Sequence, residues 1–182
     1  MHAEIIISGF GGQGVLFAGQ VLAYAAMDAG LHVTWIPSYG PEMRGGTAHC
    51  TIIISSDEIG SPLVRHPTAV LALNQPSFEK YEPLVVPGGV LIVNASLITH
   101  TSRRTDIRFI PAPANQIAED LGHSKLANIV LVGALLANLE GLPVNVVETA
   151  LTNHLPERHR HLLEANQQAL RRGAAWQAPE LA

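Results

Sequence analysis

A strand, a glycine cluster and a helix follow one another at the start of the chain. Residues 4–8 (EIIIS) form a short, largely apolar run that predicts a strand buried on both faces. The cluster GFGGQG occupies residues 9–14, and a helical apolar pattern continues to about residue 29. Glycine allows a tight turn and close approach by a ligand, while the first amides of a helix attract negative charge. This order predicts an α/β fold whose first turn binds an anion or packs closely against a neighbour.

Strand and helix patterns alternate up to about residue 111, after which helices dominate. Strands are predicted at 4–8, 32–37, 49–55, 69–73, 90–94 and 107–111, the last at a sheet edge. Helices are predicted at 14–29, 76–81, 114–121, 128–140, 144–154 and 158–172. This alternation is typical of a three-layer α/β, Rossmann-like domain with a mostly parallel sheet and C-terminal helices. We expect one domain over residues 1–173 and a loose tail over residues 174–182.

The composition limits the classes of function. Only 14% of the residues are charged, which favours a chain partly covered by a partner protein over a small enzyme with a neutral surface. The net charge of −4 argues against nucleic-acid binding. The single cysteine, Cys50, excludes internal disulfides, a four-cysteine zinc site and an iron–sulfur cluster built within the chain.

The same features predict a cytoplasmic location. A strand beginning at residue 4 leaves no room for a signal peptide. The longest apolar run, residues 129–137, is far shorter than the roughly 20 residues that span a bilayer. We therefore expect no membrane association, and a homodimer of the isolated chain is left open.

We assign no catalytic or metal-binding role to the histidines, the cysteine or the arginine pairs. His159 and His161 are two positions apart and would face different sides of a helix, so we expect no metal site. His49 and Cys50 are adjacent on a predicted strand and point to opposite faces, which excludes a catalytic dyad. Arg103-Arg104 and Arg171-Arg172 are basic pairs rather than patches, and we expect both pairs to be solvated.

The glycine cluster matches two known phosphate-binding patterns incompletely. Gly9-x-Gly11-x-x-Gly14 fits the dinucleotide fingerprint, but residues 36–39 (IPSY) supply neither an acidic residue for a ribose hydroxyl nor an arginine for a 2′-phosphate. No Lys-Ser or Lys-Thr follows the last glycine, so the turn is not a Walker loop either. Three interpretations stay open: a phosphate or carboxylate site, a turn at a subunit interface, or tight strand–helix packing.

A second glycine-bearing loop, residues 38–47, follows the second predicted strand. It therefore leaves the same carboxyl edge of the sheet as the first turn, where ligands collect in open α/β sheets. Arg44 could clamp a phosphate or carboxylate, or could pair with Glu42 to fix the loop. Asn94 ends another strand and is a third candidate contributor, with a turn role as the alternative. Asn128 opens a helix and is interpreted as its cap.

Four segments together resemble a known family. They are GFGGQGVLFAGQVLAYAA (9–26), SYGPEMRGGTAHCTIIIS (38–55), PGGVLIVNASLI (87–98) and NIVLVGALLA (128–137). They resemble the γ subunit of 2-oxoacid:ferredoxin oxidoreductases over residues 3–173, and SYGPEMRGG is most similar to the 2-oxoglutarate branch. The paired glycine motifs carry far more specificity than the dinucleotide fingerprint alone.

The resemblance implies a role within a larger enzyme. Such enzymes oxidatively decarboxylate a 2-oxoacid with thiamine diphosphate and Mg²⁺, transfer the acyl group to coenzyme A, and pass electrons through iron–sulfur clusters to ferredoxin. It further implies that α, β and δ subunits carry those cofactors, and that this chain alone holds none and is inactive in isolation. The alternative is a non-catalytic scaffold subunit whose glycine loops only dock partner chains.

The resemblance and the loop argument together define one predicted site, which binds an anion such as coenzyme A or faces a partner subunit. No catalytic residue and no particular 2-oxoacid can be read from the chain. Its predicted residues are Gly9, Gly11, Gly12, Gln13, Gly14, Ser38, Tyr39, Glu42, Arg44, Gly45, Gly46 and Asn94.

Overall fold

Six strands form one mixed sheet with the order β2-β3-β1-β4-β5-β6. The computed structural model describes residues 1–39 and 46–177. The strands are β1 (His2–Phe10), β2 (His32–Tyr39), β3 (Thr47–Ser55), β4 (Ala69–Ala72), β5 (Val90–Asn94) and β6 (Arg108–Ala112). β1, β4, β5 and β6 are mutually parallel, whereas β3 runs antiparallel to both β1 and β2. The predicted mostly parallel sheet is confirmed, with β6 at its edge.

Helices cover both faces of this sheet unequally. They are α1 (Val15–Asp28), α2 (Gln75–Tyr81), α3 (Ala114–Asp120), α4 (Ala127–Leu136), α5 (Val144–His154) and α6 (Leu163–Ala174). One core contains side chains of α1 and α3–α6 with alternate strand residues such as Ile7 and Ile52. On the other face of the sheet, a smaller core packs α2 against the strand residues that alternate with those of the first core, including Ile6 and Val70. The three-layer architecture follows from this alternation, because successive strand side chains point to opposite faces.

The register brings several strand ends to one edge of the sheet. Phe10 at the end of β1 pairs with Thr47, and Tyr39 at the end of β2 pairs with Ala48, so β3 begins between them. The last residues of β4, β5 and β6 lie at the same edge, since these strands run parallel to β1. The prediction that both glycine-bearing turns leave the carboxyl edge is therefore confirmed for the ends that the structure describes.

Two elements differ from the predicted pattern. The helix predicted at 158–172 is divided into a 3₁₀ turn, Glu157–Leu162, and α6. The helix predicted to reach residue 140 ends at Leu136, and Asn138 then folds its amide back to donate to the Ala134 carbonyl (2.9 Å).

Arg104 is not the solvated side chain that the sequence predicted. Its Nε and Nη2 donate to the Asp106 carboxylate (2.9 and 2.5 Å), and its Nη1 donates to the carbonyls of Glu82 and Val85. The hydrogen bonds from Arg104 hold the pKa of Asp106 below its ordinary value. The two bonds from Arg104 Nη1 tie the segment before β6 to the segment after α2.

The last helix is anchored beyond its end. Within the predicted tail, the Trp176 indole N–H donates to the Pro111 carbonyl of β6 (3.0 Å), and residues 178–182 lie outside the described residues. Among the described helices, none is long and apolar enough to cross a membrane.

Candidate functional site

The first glycine turn is braced by the side chain of Gln13. The Phe10 N–H donates to Gln13 Oε1 (2.7 Å), and Asn74 Nδ2 donates to the same oxygen (3.2 Å). Gln13 Nε2 donates in turn to the Leu73 carbonyl (3.4 Å). Asn74 also caps α2 by accepting the Ser77 N–H. Gln13, predicted to contact a ligand or a partner, therefore joins the turn to the ends of β1 and β4 within its own chain.

Two glycines of the turn have backbone conformations that other residues rarely adopt. Gly12 has φ 98° and Gly14 has φ 75°, both in the left-handed region. A Cβ at Gly12 would meet nothing within 4 Å, so the outer side of the turn is open to a ligand or a partner. A Cβ at Gly14 would instead collide with the Asn128 amide, whose Cγ would lie 2.9 Å away.

Asn128 does not have the capping role predicted for it. It is the second residue of α4, whose N-cap is Leu126, and its side chain is almost fully buried (4% exposed). Its Nδ2 donates to the Gly14 carbonyl (3.0 Å), a contact between residues 114 positions apart. The side chain thus joins the starts of α1 and α4, which no local sequence pattern reveals.

The second turn meets the first through the backbone. The Gly11 N–H donates to the Gly46 carbonyl (2.9 Å), which places the end of the second turn beside the first turn at the carboxyl edge. Ser38 is exposed on β2, and the Tyr39 backbone pairs with Ala48. Glu42, Arg44 and Gly45 lie outside the described residues, so their predicted contribution stays a prediction.

A groove of about 200 Å³ lies next to the first turn at the carboxyl edge. We call it the carboxyl-edge groove, and it is lined by Gly12, Gln13, Leu73, Asn94, Leu97, Asn115, Ser124, Lys125 and Ala127. Three of the predicted site residues therefore line one surface. Gly9 is separate from it, because it is buried within β1 beneath Gln13 and Leu73.

Asn94 lines this groove and also has the alternative turn role. Its Oδ1 accepts the Ser96 N–H (3.3 Å), and its Nδ2 donates to Asn115 Oδ1 (2.9 Å). The side chain is buried (2% exposed), so these bonds hold it against the end of β5. Asn94 therefore shapes the floor of the groove and links β5 to α3.

Sequence reasoning missed the cation of the groove. Lys125 is exposed at its wall, and no Asp or Glu is among the described lining residues. Lys125 forms no ion pair with any carboxylate in the described parts of the chain. An isolated lysine beside open backbone attracts anions. The neighbouring sequence HSKL contains no motif that would have identified it.

An apolar hollow of about 490 Å³ adjoins the other side of the turn. We call it the apolar hollow, and its lining is Phe10, Gly11, Gly12, Gly14, Val15, Leu16, Phe17 and Ala48. Phe10 is 36% exposed there, and Leu97 at the groove is 46% exposed. Apolar surface of this kind at a rim is typical of a protein interface. The carboxyl edge therefore combines a polar groove with an apolar surface.

Titratable residues on β3 take no part in this site. Burial, and secondarily the Lys80 ammonium, lower the pKa of His49, while burial raises the pKa of Cys50 to about 12. His49 faces Tyr81 of α2, whereas Cys50 packs beneath α1 and donates weakly to the Val15 carbonyl. The prediction that they occupy opposite faces is confirmed. Within the described residues, no three His, Cys, Asp or Glu side chains group as metal ligands.

The chain matches a known protein family over most of its length. Residues 4–176 match the family described as pyruvate ferredoxin/flavodoxin oxidoreductase. The chain is 37% identical over 176 residues to the ketoisovalerate oxidoreductase subunit VorA of Methanothermobacter thermautotrophicus, covering 96% of this chain and 36% of VorA. It is 36% identical over 163 residues to the 2-oxoglutarate synthase subunit KorC of Methanothermobacter marburgensis, covering 86% of this chain and 88% of KorC. The chain thus spans only about a third of VorA but most of KorC.

A solved structure shows the same architecture. The crystal structure of the keto/oxoacid ferredoxin oxidoreductase γ subunit from Geobacter sulfurreducens is similar with a TM-score of 0.79 and 33% identity, covering 94% of this chain and 95% of that one. The predicted fold class and the family resemblance are confirmed together. The chain therefore belongs to the pyruvate ferredoxin/flavodoxin oxidoreductase family and is of the γ-subunit type.

Proposed function

We propose that this chain is the γ subunit of a cytoplasmic 2-oxoglutarate:ferredoxin oxidoreductase, and that its carboxyl-edge groove faces the phosphates of coenzyme A. The partner α, β and δ subunits hold thiamine diphosphate, Mg²⁺ and the iron–sulfur clusters and pass electrons to ferredoxin. The single, buried Cys50 of this chain does not fit a cluster, which needs several thiolates. The chain therefore contributes binding and assembly to the oxidative decarboxylation that yields acyl-CoA.

The observation that carries this proposal is the composition of the groove. The open face of Gly12 and the lone Lys125 ammonium line one concave surface without a carboxylate among its described residues. A diphosphate is a strong hydrogen-bond acceptor with several negative charges, and it matches such a surface. Glu42 and Arg44 of the second turn stay predicted members of the same site.

The substrate proposal rests on the pattern of relatives. KorC is a 2-oxoglutarate synthase subunit and is aligned over most of its length, while VorA acts in a ketoisovalerate oxidoreductase and is aligned over a third of its length. The segment SYGPEMRGG resembles the 2-oxoglutarate branch. We therefore favour 2-oxoglutarate, and comparing kcat/KM for 2-oxoglutarate and ketoisovalerate in the assembled complex tests the choice.

Lys125→Gln in the assembled complex tests the coenzyme A edge. Loss of the ammonium removes attraction for the phosphates, so we expect KM for coenzyme A to rise about tenfold, equivalent to about 1.4 kcal/mol, with kcat within about twofold. Arg44→Ala is expected to act in the same direction. The matched control, Arg65→Gln, alters an exposed cation beyond the end of β3 and should leave KM unchanged. An unchanged KM in Lys125→Gln would contradict the proposed coenzyme A contact.

A scaffold role is the second candidate, and the apolar hollow specifically favours it. Under that interpretation, Gly12→Val blocks docking and abolishes assembly, whereas a ligand site lets the complex form with reduced turnover. Size-exclusion chromatography of the complex separates these outcomes. The valine side chain at position 12 would enter open space, but its backbone would be strained by the positive φ. The melting temperature of the isolated variant therefore checks that the chain still folds.

A further inference from the structure

Two strands, β2 and β6, each have one side without a neighbouring strand. We call these the free sides of the two strands. Backbone N–H and C=O groups on a free side can pair with a strand of another chain. The registers and the hydrogen bonds at the ladder ends identify which residues point outward on each free side.

The free side of β6 offers few hydrogen-bonding groups. Arg108 and Ala112 form backbone bonds with the residues that flank β5. Backbone direction alternates along a strand, so Phe109 and Pro111 face outward. Pro111 has no N–H, and its carbonyl accepts the Trp176 indole N–H (3.0 Å). Within the described part of the chain, Phe109 is thus the one outward residue of β6 whose two backbone groups are both unused.

The direction of the backbone groups in β2 follows from the bonds of its neighbour, β3. The Gly11 N–H donates to the Gly46 carbonyl at one end of the β1–β3 ladder, and the Ser56 N–H bonds in the same phase at the other end. Even-numbered residues of β3 therefore face β1, and its odd-numbered residues face β2. Because Thr34 pairs with Ile53, the even-numbered residues of β2 face β3 and the odd-numbered residues face outward.

The free side of β2 is long and uncharged. Val33 and Trp35 direct both backbone groups outward, and neither residue makes a further backbone hydrogen bond within the described parts of the chain. Pro37 faces outward with a carbonyl but no N–H. The eight residues of β2 include no Lys, Arg, Asp or Glu, and Ile36 is 39% exposed. Charged side chains commonly prevent pairing of outer strands, and β2 lacks this protection.

A second copy of β2 satisfies the free side in one register. When two antiparallel copies are related by a two-fold axis at Thr34, Val33 of each copy lies opposite Trp35 of the other. Each of these two pairs exchanges two hydrogen bonds. All N–H and C=O groups of Val33 and Trp35 are then used in both copies, as a symmetric, self-complementary contact requires.

Other two-fold registers leave a backbone carbonyl without a donor. An axis at position 35 or 36 sets the Val33 or the Trp35 carbonyl opposite Pro37, which has no N–H. An axis at position 33 sets the Trp35 carbonyl opposite Leu31, whose N–H already donates to a carbonyl of α1 (3.0 Å). The hydrogen-bonding pattern of β2 is therefore self-complementary only about Thr34.

We propose that two copies of this chain pair through β2 about a two-fold axis at Thr34, which joins their two six-stranded sheets into one. On one face, Thr34 meets the same residue of the second copy, and Ile36 lies beside the second copy's histidine at position 32. On the other face, Val33 lies beside the tryptophan at position 35, a β-branched and aromatic pair of the kind that stabilises sheets. No residue of β2 lines the carboxyl-edge groove or the apolar hollow, so the dimer is independent of the coenzyme A contact.

Sedimentation equilibrium of the full-length chain tests the proposal. At about 100 µM, well above a micromolar Kd, we expect a mass twice the 19.4 kDa of the monomer. Thr34→Lys places two ammonium groups opposite each other at the axis and should raise the Kd of the dimer about tenfold or more. Thr34→Val keeps a β-branched side chain and should stay dimeric. Thr105→Lys, which adds the same charge at an exposed position before β6, should leave the Kd unchanged.

Cysteine substitution locates the axis independently of charge. Facing residues at a position without direct hydrogen bonds have Cα atoms about 4.5 Å apart, within the reach of a disulfide. Under mild oxidation, Thr34→Cys should therefore form a covalent dimer. Ile36→Cys lies two positions along the same face and should stay uncrosslinked, since its counterpart is distant in this register. The native Cys50 is fully buried and does not interfere.

Three results would overturn the proposal. They are a monomer at every concentration, a Thr34→Lys variant that folds and is as dimeric as the wild type, and crosslinking of Ile36→Cys in place of Thr34→Cys. The melting temperature of Thr34→Lys checks its fold, and the cysteine pair alone decides the matter if that variant is unfolded. The coenzyme A proposal is measured separately through KM in Lys125→Gln, so either proposal can fail without the other.

Discussion

Cys50 illustrates how the sheet suppresses the reactivity of a residue. The thiol is fully buried on β3, and burial raises its pKa to about 12 although the Trp35 indole opposes the shift. At pH 9 only about one thiol in a thousand is then ionised in the folded chain, compared with about half or more in an unfolded one. The residue acts as part of the core beneath α1.

We predict that Cys50 resists iodoacetamide between pH 7 and 9 in the folded chain and reacts rapidly in urea. Mass spectrometry of the alkylated protein measures the extent of labelling. Because the folded-state pKa is raised, the stabilising contribution of the protonated thiol is complete below the unfolded value and declines between about pH 9 and 12. Comparison with Cys50→Ala isolates this decline, and rapid labelling of the native chain at pH 8 would contradict the prediction.

Gly14 and Gly12 provide a matched pair of backbone tests. Alanine at either position must adopt a positive φ, which costs about 1–2 kcal/mol. Only at position 14 does the new methyl group also collide with Asn128. We predict that Gly14→Ala lowers the free energy of unfolding by about 3 kcal/mol and Gly12→Ala by about 1 kcal/mol. Urea denaturation measures both, and equal losses would show that the Asn128 contact adds nothing.

The sequence identified the residues of the glycine turn but not their division of labour. Gly9, Gly12 and Gln13 were predicted as equivalent members of one site, whereas the fold buries Gly9, opens Gly12 and uses Gln13 as an internal brace. Those roles depend on Asn74 and Asn128, which are distant in the chain. Spacing within one motif contains no information about partners that only the folded chain brings near.

At the level of helices, α4 and α6 pack through their backbones. A Cβ at Gly133 of α4 would lie 2.8 Å from the Ala174 nitrogen, and a Cβ at Gly173 of α6 would lie 2.7 Å from the Val130 carbonyl carbon. Both helices were predicted from periodicity, although α6 was predicted to begin earlier. Their contact was not predicted, because the hydrophobic pattern shows which face is buried but not how closely a neighbour approaches.

We predict that Gly133→Ala and Gly173→Ala each destabilise the chain by about 3 kcal/mol, because the methyl group has no space between the two backbones. Chemical denaturation monitored by circular dichroism measures the loss. Gly60→Ala is the control, since its Cβ would enter open space without backbone strain, and it should change stability by less than about 0.5 kcal/mol. Wild-type stability in either helix variant would show that α4 and α6 can separate freely.

At the level of the whole molecule, the two edges of the sheet differ. The carboxyl edge holds the groove and the apolar hollow, while the amino edge holds the exposed Leu63 in the segment after β3. The alternating sequence pattern was sufficient to predict the mostly parallel sheet and the edge at which β1 and β2 end. It could not predict which side chains outside the motifs, such as Lys125, would complete the edge.

We predict that Phe10→Glu weakens assembly with the partner subunits at least tenfold, because a carboxylate would replace apolar contact at the rim. Leu63→Glu introduces the same charge at the opposite edge and should assemble normally. Co-purification of tagged complexes, quantified against the melting temperature of each isolated variant, distinguishes assembly from folding. Normal assembly of Phe10→Glu would show that the apolar hollow is not part of the interface with the partner subunits.

The antiparallel placement of β3 has a consequence for protein engineering. Its pairing is fixed at Tyr39–Ala48 and Phe10–Thr47, and the Gly11–Gly46 bond closes the end of this ladder. Positions 40–45 therefore join strands whose register is already set by other residues. Insertions or deletions at these six positions need not change the pairing of β3 with β1 or β2. Grafting this connection between homologues therefore offers a route to exchange specificity while the paired strands are preserved.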